Sequence, residues 1–326
     1  MRRKNDYTIY ILIILAILAI LIYYNKQLIS NFQTNNGYDI VIIAGQSNAV
    51  GRGLEEHTFP KNKKDAYNPK YDGRTINIYR DDYNNSTNSN ICALNKNGTI
   101  QQNAVDPIEH LESYPFKIQN RPVKNFGFAV SFAREYIRQG KLASGRKLLL
   151  VGCGFGQTGF KDKQWVSPNG ELYKNTIYRG KQALGLENKN NNKIIAILWH
   201  QGENDISHRA KFDYKKQLSD CLNGIRDSLV KTTPTTVPIL LGGIIRGDSN
   251  RNDMNENYIK RTANLSSNIN FKFVPSTPMS EPKYNGFDLF NHSLLSDEKT
   301  GDNHFSKSSQ IEFGKRYFYL FNNNKI

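Results

Sequence analysis

The chain has 326 residues, of which 38% are hydrophobic and 22% charged, which suffices for one sizeable core and excludes a disordered chain. Its formal net charge is +15, but no basic cluster is interleaved with aromatic residues, so a nucleic-acid partner is not expected. Three cysteines, none in a Cys-x-x-Cys pair, exclude a disulfide framework, a structural zinc site and a redox motif.

The first predicted element is a membrane-spanning helix over residues 7–24. This run has no charged residue and, as a helix, would be about 27 Å long, close to the hydrocarbon thickness of a bilayer. A buried core helix would show a polar stripe, and a cleaved signal peptide would end in small residues, whereas this run ends in two tyrosines before Asn25 and Lys26. Because basic residues are concentrated before the span, residues 1–6 are expected in the cytosol and the remainder in a lumen or outside the cell.

Residues 25–37 are predicted to form a polar linker and residues 38–326 a single α/β domain. Short strands rich in Ile, Val and Leu alternate with amphipathic helices, which is typical of a mostly parallel sheet covered on both faces. The predicted strands cover residues 40–44, 147–152, 194–199, 238–244 and 271–274. The predicted helices cover residues 128–139, 173–184, 208–230, 255–265 and 308–321. The segment from about 54 to 120 is rich in Asn, Lys, Asp and Tyr and is predicted to be a long surface insertion.

Ser47 follows the first predicted strand and is the candidate nucleophile. It lies in the sequence Gly45-Gln46-Ser47-Asn48, and ligands of open α/β sheets bind beyond the carboxyl ends of the strands. A serine there can combine a reactive hydroxyl with nearby backbone N–H groups, and Asn48 is expected to support it. The alternative is that Ser47 only caps the following helix. The sequence is neither a Gly-x-Ser-x-Gly elbow nor a phosphate-binding loop.

The candidate base lies near the end of the chain, in the sequence Gly301-Asp302-Asn303-His304. In an extended segment Asp302 and His304 point to the same side, so the carboxylate can orient the imidazole. No two of the six histidines have the spacing of metal ligands. A metal-dependent hydrolase is therefore not expected, and a serine mechanism would need no cofactor.

A third polar cluster, His200-Gln201-Gly202-Glu203-Asn204-Asp205, follows the strand predicted at residues 194–199. The amide of Gln201 can donate a hydrogen bond to an oxyanion. Glu203 and Asp205 are expected to support the site by bracing it or by capping the following helix. His200 itself fits a core position at the end of a strand.

The segment from Gly154 to Gly159 matches Gly-x-Gly-x-x-Gly directly after a predicted strand, which by itself is a dinucleotide-binding fingerprint. Its third glycine should open a helix whose first turn receives the pyrophosphate. Residues 161–170 include Pro168 and Gly170 and cannot continue as a helix. A dinucleotide-dependent oxidoreductase is therefore not expected.

Five short motifs follow one another between residue 39 and the end of the chain. They are Gly-Gln-Ser-Asn, Gly127-Phe-Ala-Val-Ser-Phe-Ala133, Gly-Gln-Thr-Gly-Phe leading to Trp165, Trp-His-Gln-Gly-Glu-Asn-Asp, and Asp-Asn-His-Phe-Ser. In this order they resemble the SGNH-hydrolase superfamily, and most closely its sialate O-acetylesterase and carbohydrate esterase family six group. The resemblance implies a flavodoxin-like three-layer fold and a serine esterase that removes acetyl groups from a carbohydrate through an acetyl-serine intermediate.

The resemblance also implies a role for each site residue. Ser47 would be the nucleophile, His304 the base and Asp302 the acid that orients the base. The oxyanion hole would consist of the backbone N–H groups of Ser47 and Gly127 and the side chain of Gln201.

The sequence departs from the family pattern at three places. Gly156-Gln157-Thr158 stands where the family usually has Gly-Gly-Thr, and Phe128-Ala129 stands where relatives often have Pro-Glu. Acid and base are separated by one residue, as in the sialate-esterase branch, whereas in much of the superfamily they are separated by two. If Asp302 faces away from His304, Asp297 is the reserve acid.

A non-catalytic glycan-binding module displayed on a membrane is the alternative function, because a fold does not determine a function. That alternative gives no reason for Ser47, Asp302 and His304 to occur together. An acetylated carbohydrate is therefore the expected substrate. The positive charge fits an acidic glycan, and it fits a neutral one almost as well.

Overall fold

The structure is a computed structural model that describes residues 13–25, 36–54, 88–112, 117–118, 121–122, 125–205, 213–231, 236–244, 270–276, 296–297 and 301–323. The predicted helix over residues 255–265 and most of the predicted linker lie outside the described residues. The predicted helices and strands that fall on described residues agree closely with the observed ones.

A seven-stranded sheet forms the centre of the domain. Its strands are β1 (Gly37–Gly45), β2 (Ile91–Leu94), β3 (Ile100–Gln101), β4 (Arg146–Gly154), β5 (Lys193–His200), β6 (Ile239–Gly242) and β7 (Phe271–Val274). They lie in the order β7-β6-β5-β1-β4-β2-β3, and every neighbouring pair is parallel except β2 with β3. The prediction of a mostly parallel sheet is confirmed.

Helices cover both faces of this sheet. The described helices of the domain are α1 (Ser47–Val50), α2 (Ala129–Arg138), α3 (Glu171–Leu184), α4 (Tyr214–Leu229) and α5 (Lys307–Asn322). One core lies between the sheet and α3 and α4, and a second core lies between the sheet and α2 and α5. The domain therefore has the three layers that the sequence predicted.

Strand β1 contributes to both cores. Ile40, Ile42 and Ala44 pack in the core with α3 and α4, whereas Val41 and Ile43 pack in the core with α2 and α5. Successive side chains of a strand point to opposite faces, so a strand covered on both sides is apolar at every position. This explains the unbroken apolar run before Gly45.

The strand order reverses at β1, which has β4 on one side and β5 on the other. Strands β4-β1-β5-β6-β7 follow the flavodoxin-like order, in which a ligand binds beyond the carboxyl ends at the point of reversal. At this point Gly45 is paired with both Gly154 and His200. The crevice beyond these three residues is the expected position of a functional site.

The segment predicted as a surface insertion contains part of the sheet. All four residues of β2 are buried, and the strand pairs in parallel with β4. The surface-insertion prediction is therefore wrong for residues 91–94. Its apolar run Ile-Cys-Ala-Leu is consistent with a buried strand, but it lies in a segment whose overall composition is polar and was therefore overlooked. Residues 55–87 of the predicted insertion lie outside the described residues.

A buried ion pair anchors the beginning of β1. Arg146 Nε lies 2.8 Å from Asp39 Oδ1, and the hydroxyl of Tyr136 donates to Asp39 Oδ2 at 2.8 Å. Burial and the neighbouring Asp39 carboxylate raise the pKa of Tyr136. Because both carboxylate oxygens of Asp39 have hydrogen-bond partners, the sheet accommodates a charge next to its core.

Residues 13–25 form a helix with exposed side chains. Residues 7–12 of the predicted membrane span lie outside the described residues. Within the part that the structure describes, no helix combines the length and the apolar character needed to cross a membrane.

His110 packs against two glycines of β4. Its Nδ1 accepts the N–H of Gly154 at 3.0 Å, and a Cβ on Gly152 would lie 2.9 Å from its ring. Burial lowers the pKa of His110 to about 3, with a further contribution from the positive charges of Arg179 and Lys96. Because its acceptor contact is with a backbone group 44 residues away, the sequence shows no partner pattern for this histidine.

His110 is therefore expected to make stability depend on pH. Its pKa falls from 6.5 to about 3 on folding, so between these values the unfolded chain binds the additional proton. Below pH 6.5 the free energy of unfolding therefore falls with falling pH, by up to about 1.4 kcal/mol per pH unit, because protonation of His110 stabilises the unfolded chain. Above pH 6.5 His110 is neutral in both states and this loss is absent.

His110→Asn keeps an acceptor for the Gly154 N–H and removes the titration. The free energy of unfolding in urea, measured at several pH values, should fall less steeply below pH 6.5 than in the parent. A variant as steep as the parent would contradict this account of His110.

Candidate active site

Ser47 is the first residue of α1, directly beyond the carboxyl end of β1. Gly45 before it has a φ of +128°, and a Cβ there would lie 2.0 Å from the carbonyl oxygen of His200. The N–H of Gln46 donates to that same oxygen at 2.8 Å. The N-cap of α1 is Gln46, so the interpretation of Ser47 as a cap is wrong. Glycine at position 45 allows the tight turn that holds Ser47 at the point of strand reversal.

The candidate base lies in β8 (Gly301–Phe305), which packs against α1. The N–H of Phe305 donates to Asn48 Oδ1 at 3.1 Å, across 257 residues of sequence. Phe305 follows His304 and Asn48 follows Ser47, so this hydrogen bond brings the segments of the predicted base and nucleophile together. His304 itself is partly buried.

Both candidate acids lie in the hairpin that contains His304. Strand β8 pairs antiparallel with Ser296–Asp297, and Asp297 is opposite Gly301. The side chains of Asp302 and Asp297 lie outside the described part of the structure. The assignment of Asp302 as the orienting acid therefore stays a prediction.

Asn48 connects the nucleophile segment to a second buried polar group. Its Nδ2 donates to Glu203 Oε1 at 2.7 Å, and His200 Nε2 lies 3.1 Å from the same oxygen. Burial alone would raise the pKa of Glu203, but His200 and the hydrogen bonds from His200 and Asn48 lower it overall. The Asn48 side chain thus contacts Glu203 with its amide nitrogen and Phe305 with its amide oxygen. The expected supporting roles of Asn48 and Glu203 have a structural basis in these contacts.

Gln201 is fully buried and its amide has partners within the protein. Its Nε2 donates to Asp205 Oδ2 at 2.6 Å and lies 3.5 Å from the carbonyl oxygen of Thr158. Its Oε1 accepts from the hydroxyl of Tyr214 at 3.1 Å. The structure therefore does not support the predicted oxyanion role of Gln201. Its contacts instead brace the loop after β4 against α4.

Asp205 completes this brace. Its two carboxylate oxygens accept the N–H groups of Phe160 and Lys161 at 2.8 and 2.9 Å. Burial raises the pKa of Asp205, and these hydrogen bonds oppose that shift. The described part of the next helix begins at Tyr214 with Asp213 as its N-cap, so the structure supports bracing by Asp205 and not capping.

Gly127 lies beside the nucleophile segment, as predicted for an oxyanion donor. A Cβ on Gly51 would lie 2.7 Å from Gly127 Cα, so these two glycines permit a close approach of the backbones. The N–H of Gly127, however, donates to Oδ1 of the buried Asp106 at 3.2 Å. An oxyanion at this N–H would compete with Asp106. The sequence offers no signal for Asp106, because it lies in the segment predicted as an insertion.

The glycine-rich segment after β4 lacks the helix that a Rossmann dinucleotide site places directly behind its third glycine. Residues 160–165 form turns, and α3 begins only at Glu171. A Cβ on Gly159 would lie 2.4 Å from Asp205 Oδ1, so this glycine is required by the brace. Within the described residues, no group of three or more His, Cys, Asp or Glu side chains could hold a metal ion.

Comparisons with known proteins cover nearly the whole α/β domain. The family model described as carbohydrate esterase, sialic acid-specific acetylesterase, matches residues 37–323. The crystal structure of NanS aligns with a TM-score of 0.60 and 16% sequence identity, covering 88% of this chain and 97% of NanS. A protein from Arabidopsis thaliana aligns with a TM-score of 0.56 and 20% identity, covering 88% and 99%. No curated protein matches the chain.

The contacts of Asn48 predict that its side chain aligns Ser47 with His304. Asn48→Ala removes the side chain that joins the Ser47, Glu203 and His304 segments. If those contacts align the nucleophile with its base, kcat for an aryl acetate should fall by on the order of 100-fold while KM changes little.

Asn223→Ala, on α4, is the matched control and should retain parental kinetics. Thermal unfolding followed by circular dichroism checks that both variants are folded. Parental kcat in a folded Asn48→Ala variant would exclude this role for Asn48.

Proposed function

The chain belongs to the carbohydrate esterase family of sialic acid-specific acetylesterases, and we propose that it removes O-acetyl groups from a carbohydrate by a serine mechanism. Its membership makes it a hydrolase of carboxylic esters. The observation that carries the serine mechanism is the hydrogen bond between Phe305 and Asn48. That contact supports the pairing of Ser47 with His304, because each of these residues is next to one partner of the bond.

The proposed reaction has two steps. His304 accepts the hydroxyl proton of Ser47 while Ser47 Oγ attacks the acetyl carbonyl carbon. The bond from that carbon to the sugar oxygen then breaks, and His304 donates the proton to the leaving sugar hydroxyl. In the second step His304 deprotonates a water molecule, which attacks the carbonyl carbon of the acetyl-serine. The bond from that carbon to Ser47 Oγ breaks, His304 returns the proton to Ser47 Oγ, and acetate leaves.

The remaining groups have positioning or electrostatic roles in this proposal. Asp302 orients the imidazole of His304, with Asp297 as the reserve. The backbone N–H of Ser47 donates a hydrogen bond to the oxyanion. The N–H of Gly127 donates a second one after its hydrogen bond to the Asp106 carboxylate breaks. Gln201 acts through the brace that it forms with Asp205.

An O-acetylated sialic acid is the proposed substrate class. The family description names sialic acid, whose carboxylate carries a negative charge. The chain has a formal net charge of +15, which favours the encounter with an anionic sugar. The family description therefore carries this proposal, and the positive charge is compatible with it.

The nucleophile is tested by Ser47→Ala in the full chain. Loss of the attacking oxygen should lower the turnover of an aryl acetate by about a thousandfold or more without loss of the fold. Rapid quenching of the parent should trap an acetyl group on the peptide that contains Ser47, detected by mass spectrometry. Ser219→Ala, on α4, should behave as the parent. A fully active Ser47→Ala variant would eliminate the serine mechanism.

We further propose that residues 7–24 anchor the chain in a membrane, with residues 1–6 in the cytosol and the esterase domain in a lumen or outside the cell. The support is the uncharged apolar run itself, together with the exposure of the side chains in the helix of residues 13–25. Exposed isoleucine and leucine side chains at this density favour a hydrocarbon environment.

The anchor is tested by extraction of membranes with alkaline carbonate after expression of the full chain. The parent should stay in the membrane pellet. A variant with Leu15→Lys and Leu18→Lys should move to the supernatant, because each charge at the centre of a span costs about 3 kcal/mol. Extraction of the parent itself would contradict an integral anchor.

A further inference from the structure

Two exposed apolar side chains lie in segments that border the proposed nucleophile. Among the described residues of the α/β domain, the exposed large hydrophobic side chains are Val105, Phe155 and Tyr178. Isolated exposed apolar residues are common on protein surfaces, so their position decides whether they are informative. Val105 precedes Asp106, which contacts Gly127, and Phe155 directly follows β4. Tyr178 lies apart from these segments, on α3.

Phe155 lies at the same edge of the sheet as Ser47. Its N–H donates to the carbonyl oxygen of Gly45 at 2.9 Å, and Gly154 is paired in register with Gly45. Because β1 and β4 are parallel neighbours, the residues that follow Gly154 and Gly45 leave the sheet at the same level. Phe155 is 39% exposed, although its neighbours Gly154 and Gly156 are buried.

A partly buried ion pair holds the loop that presents Phe155. Glu112 Oε1 lies 2.6 Å from Arg52 Nη2, and Glu112 Oε2 accepts the N–H of Gly156 at 2.8 Å. The side chains of Arg52 and Glu112 are only 10% and 18% exposed. A Cβ on Gly156 would lie 2.4 Å from Arg52 Nη2, so the glycine leaves room for the guanidinium. These contacts tie the Phe155 loop to the chain that leaves α1.

The Arg52 and Glu112 charges neutralise each other within this contact. The contact therefore serves to order the backbone more than to attract an anion, and charge-assisted hydrogen bonds are short and directional enough for that purpose. An aromatic ring on an ordered loop loses little conformational entropy when a ligand binds against it. Phe155 is thus an apolar surface on an ordered loop at the same edge of the sheet as Ser47.

We propose that Phe155 is a specificity-determining residue that packs against the apolar face of the sugar ring of the ester, and that Arg52 and Glu112 position it. The inference rests on the proposed function, because it requires an ester bound at Ser47. Ligand sites combine aromatic walls with a few polar groups, and the C–H groups on one face of a pyranose match a flat aromatic ring. The contact concerns the sugar, so esters of small alcohols do not use it.

The test compares two esters with the full chain. One is an acetylated monosaccharide. O-acetylated N-acetylneuraminic acid and glucose pentaacetate are both assayed with the parent, and the one that the parent hydrolyses faster is used for the variants. The other is ethyl acetate, which has no ring. Phe155→Ala should lower kcat/KM for the sugar ester about tenfold, mainly through KM, and leave ethyl acetate unchanged. Phe155→Trp should retain sugar ester hydrolysis, and Tyr178→Ala should change neither substrate.

The positioning role is tested with Glu112→Gln, which keeps the shape of the side chain and removes its charge. The variant should show the same loss with the sugar ester and none with ethyl acetate. Added to Phe155→Ala, Glu112→Gln should cause no further loss, because both substitutions remove the same contact between Phe155 and the sugar.

The outcomes separate this inference from the proposed function. A parent that hydrolyses neither ester overturns both. A parent that is active, with Phe155→Ala either unchanged or equally impaired on both esters, overturns only the role of Phe155. Additive losses in the double variant overturn the positioning role of Glu112.

Discussion

The backbone contact between Gly45 and His200 is the constraint on which the site depends. A side chain at position 45 would overlap the His200 carbonyl, so only glycine lets β1 turn directly into α1 beside β5. Because β4, β1 and β5 end at this level, the Ser47 turn, the Phe155 loop and the cluster from Gln201 to Asp205 leave the sheet together. A parallel sheet with reversed strand order thus collects groups that are far apart in sequence.

Buried hydrogen bonds then hold these groups in place. Asn48 contacts both Glu203 and the chain next to His304, while Asp205 and Gln201 secure the loop after β4. Unpaired polar groups in such a buried position would be costly, so each member restricts the geometry of the others.

Several roles were beyond sequence reasoning because they depend on contacts between distant segments. The donor capacity of Gln201 suggested an oxyanion role, but only the fold shows that Asp205 and Tyr214 take up its amide group. The Asp106 carboxylate that accepts the N–H of Gly127 could not be foreseen from its position in the chain. The short strand β2 was missed because its four apolar residues lie in a polar segment, and only the fold shows that they pair with β4 and are buried.

The sequence by itself determined the α/β class, the bounds of most strands and helices, and the family. These follow from local patterns: apolar runs for strands buried on both faces, amphipathic periods for helices, and short polar motifs at the strand ends. Only the tertiary structure decided which polar atoms face each other, that Asn48 joins the Ser47 and His304 segments, and that Arg52 and Glu112 hold the Phe155 loop. Hydrogen bonds and ion pairs act over a few ångströms in space, whereas their partners here are separated by tens to hundreds of residues, so no local pattern encodes them.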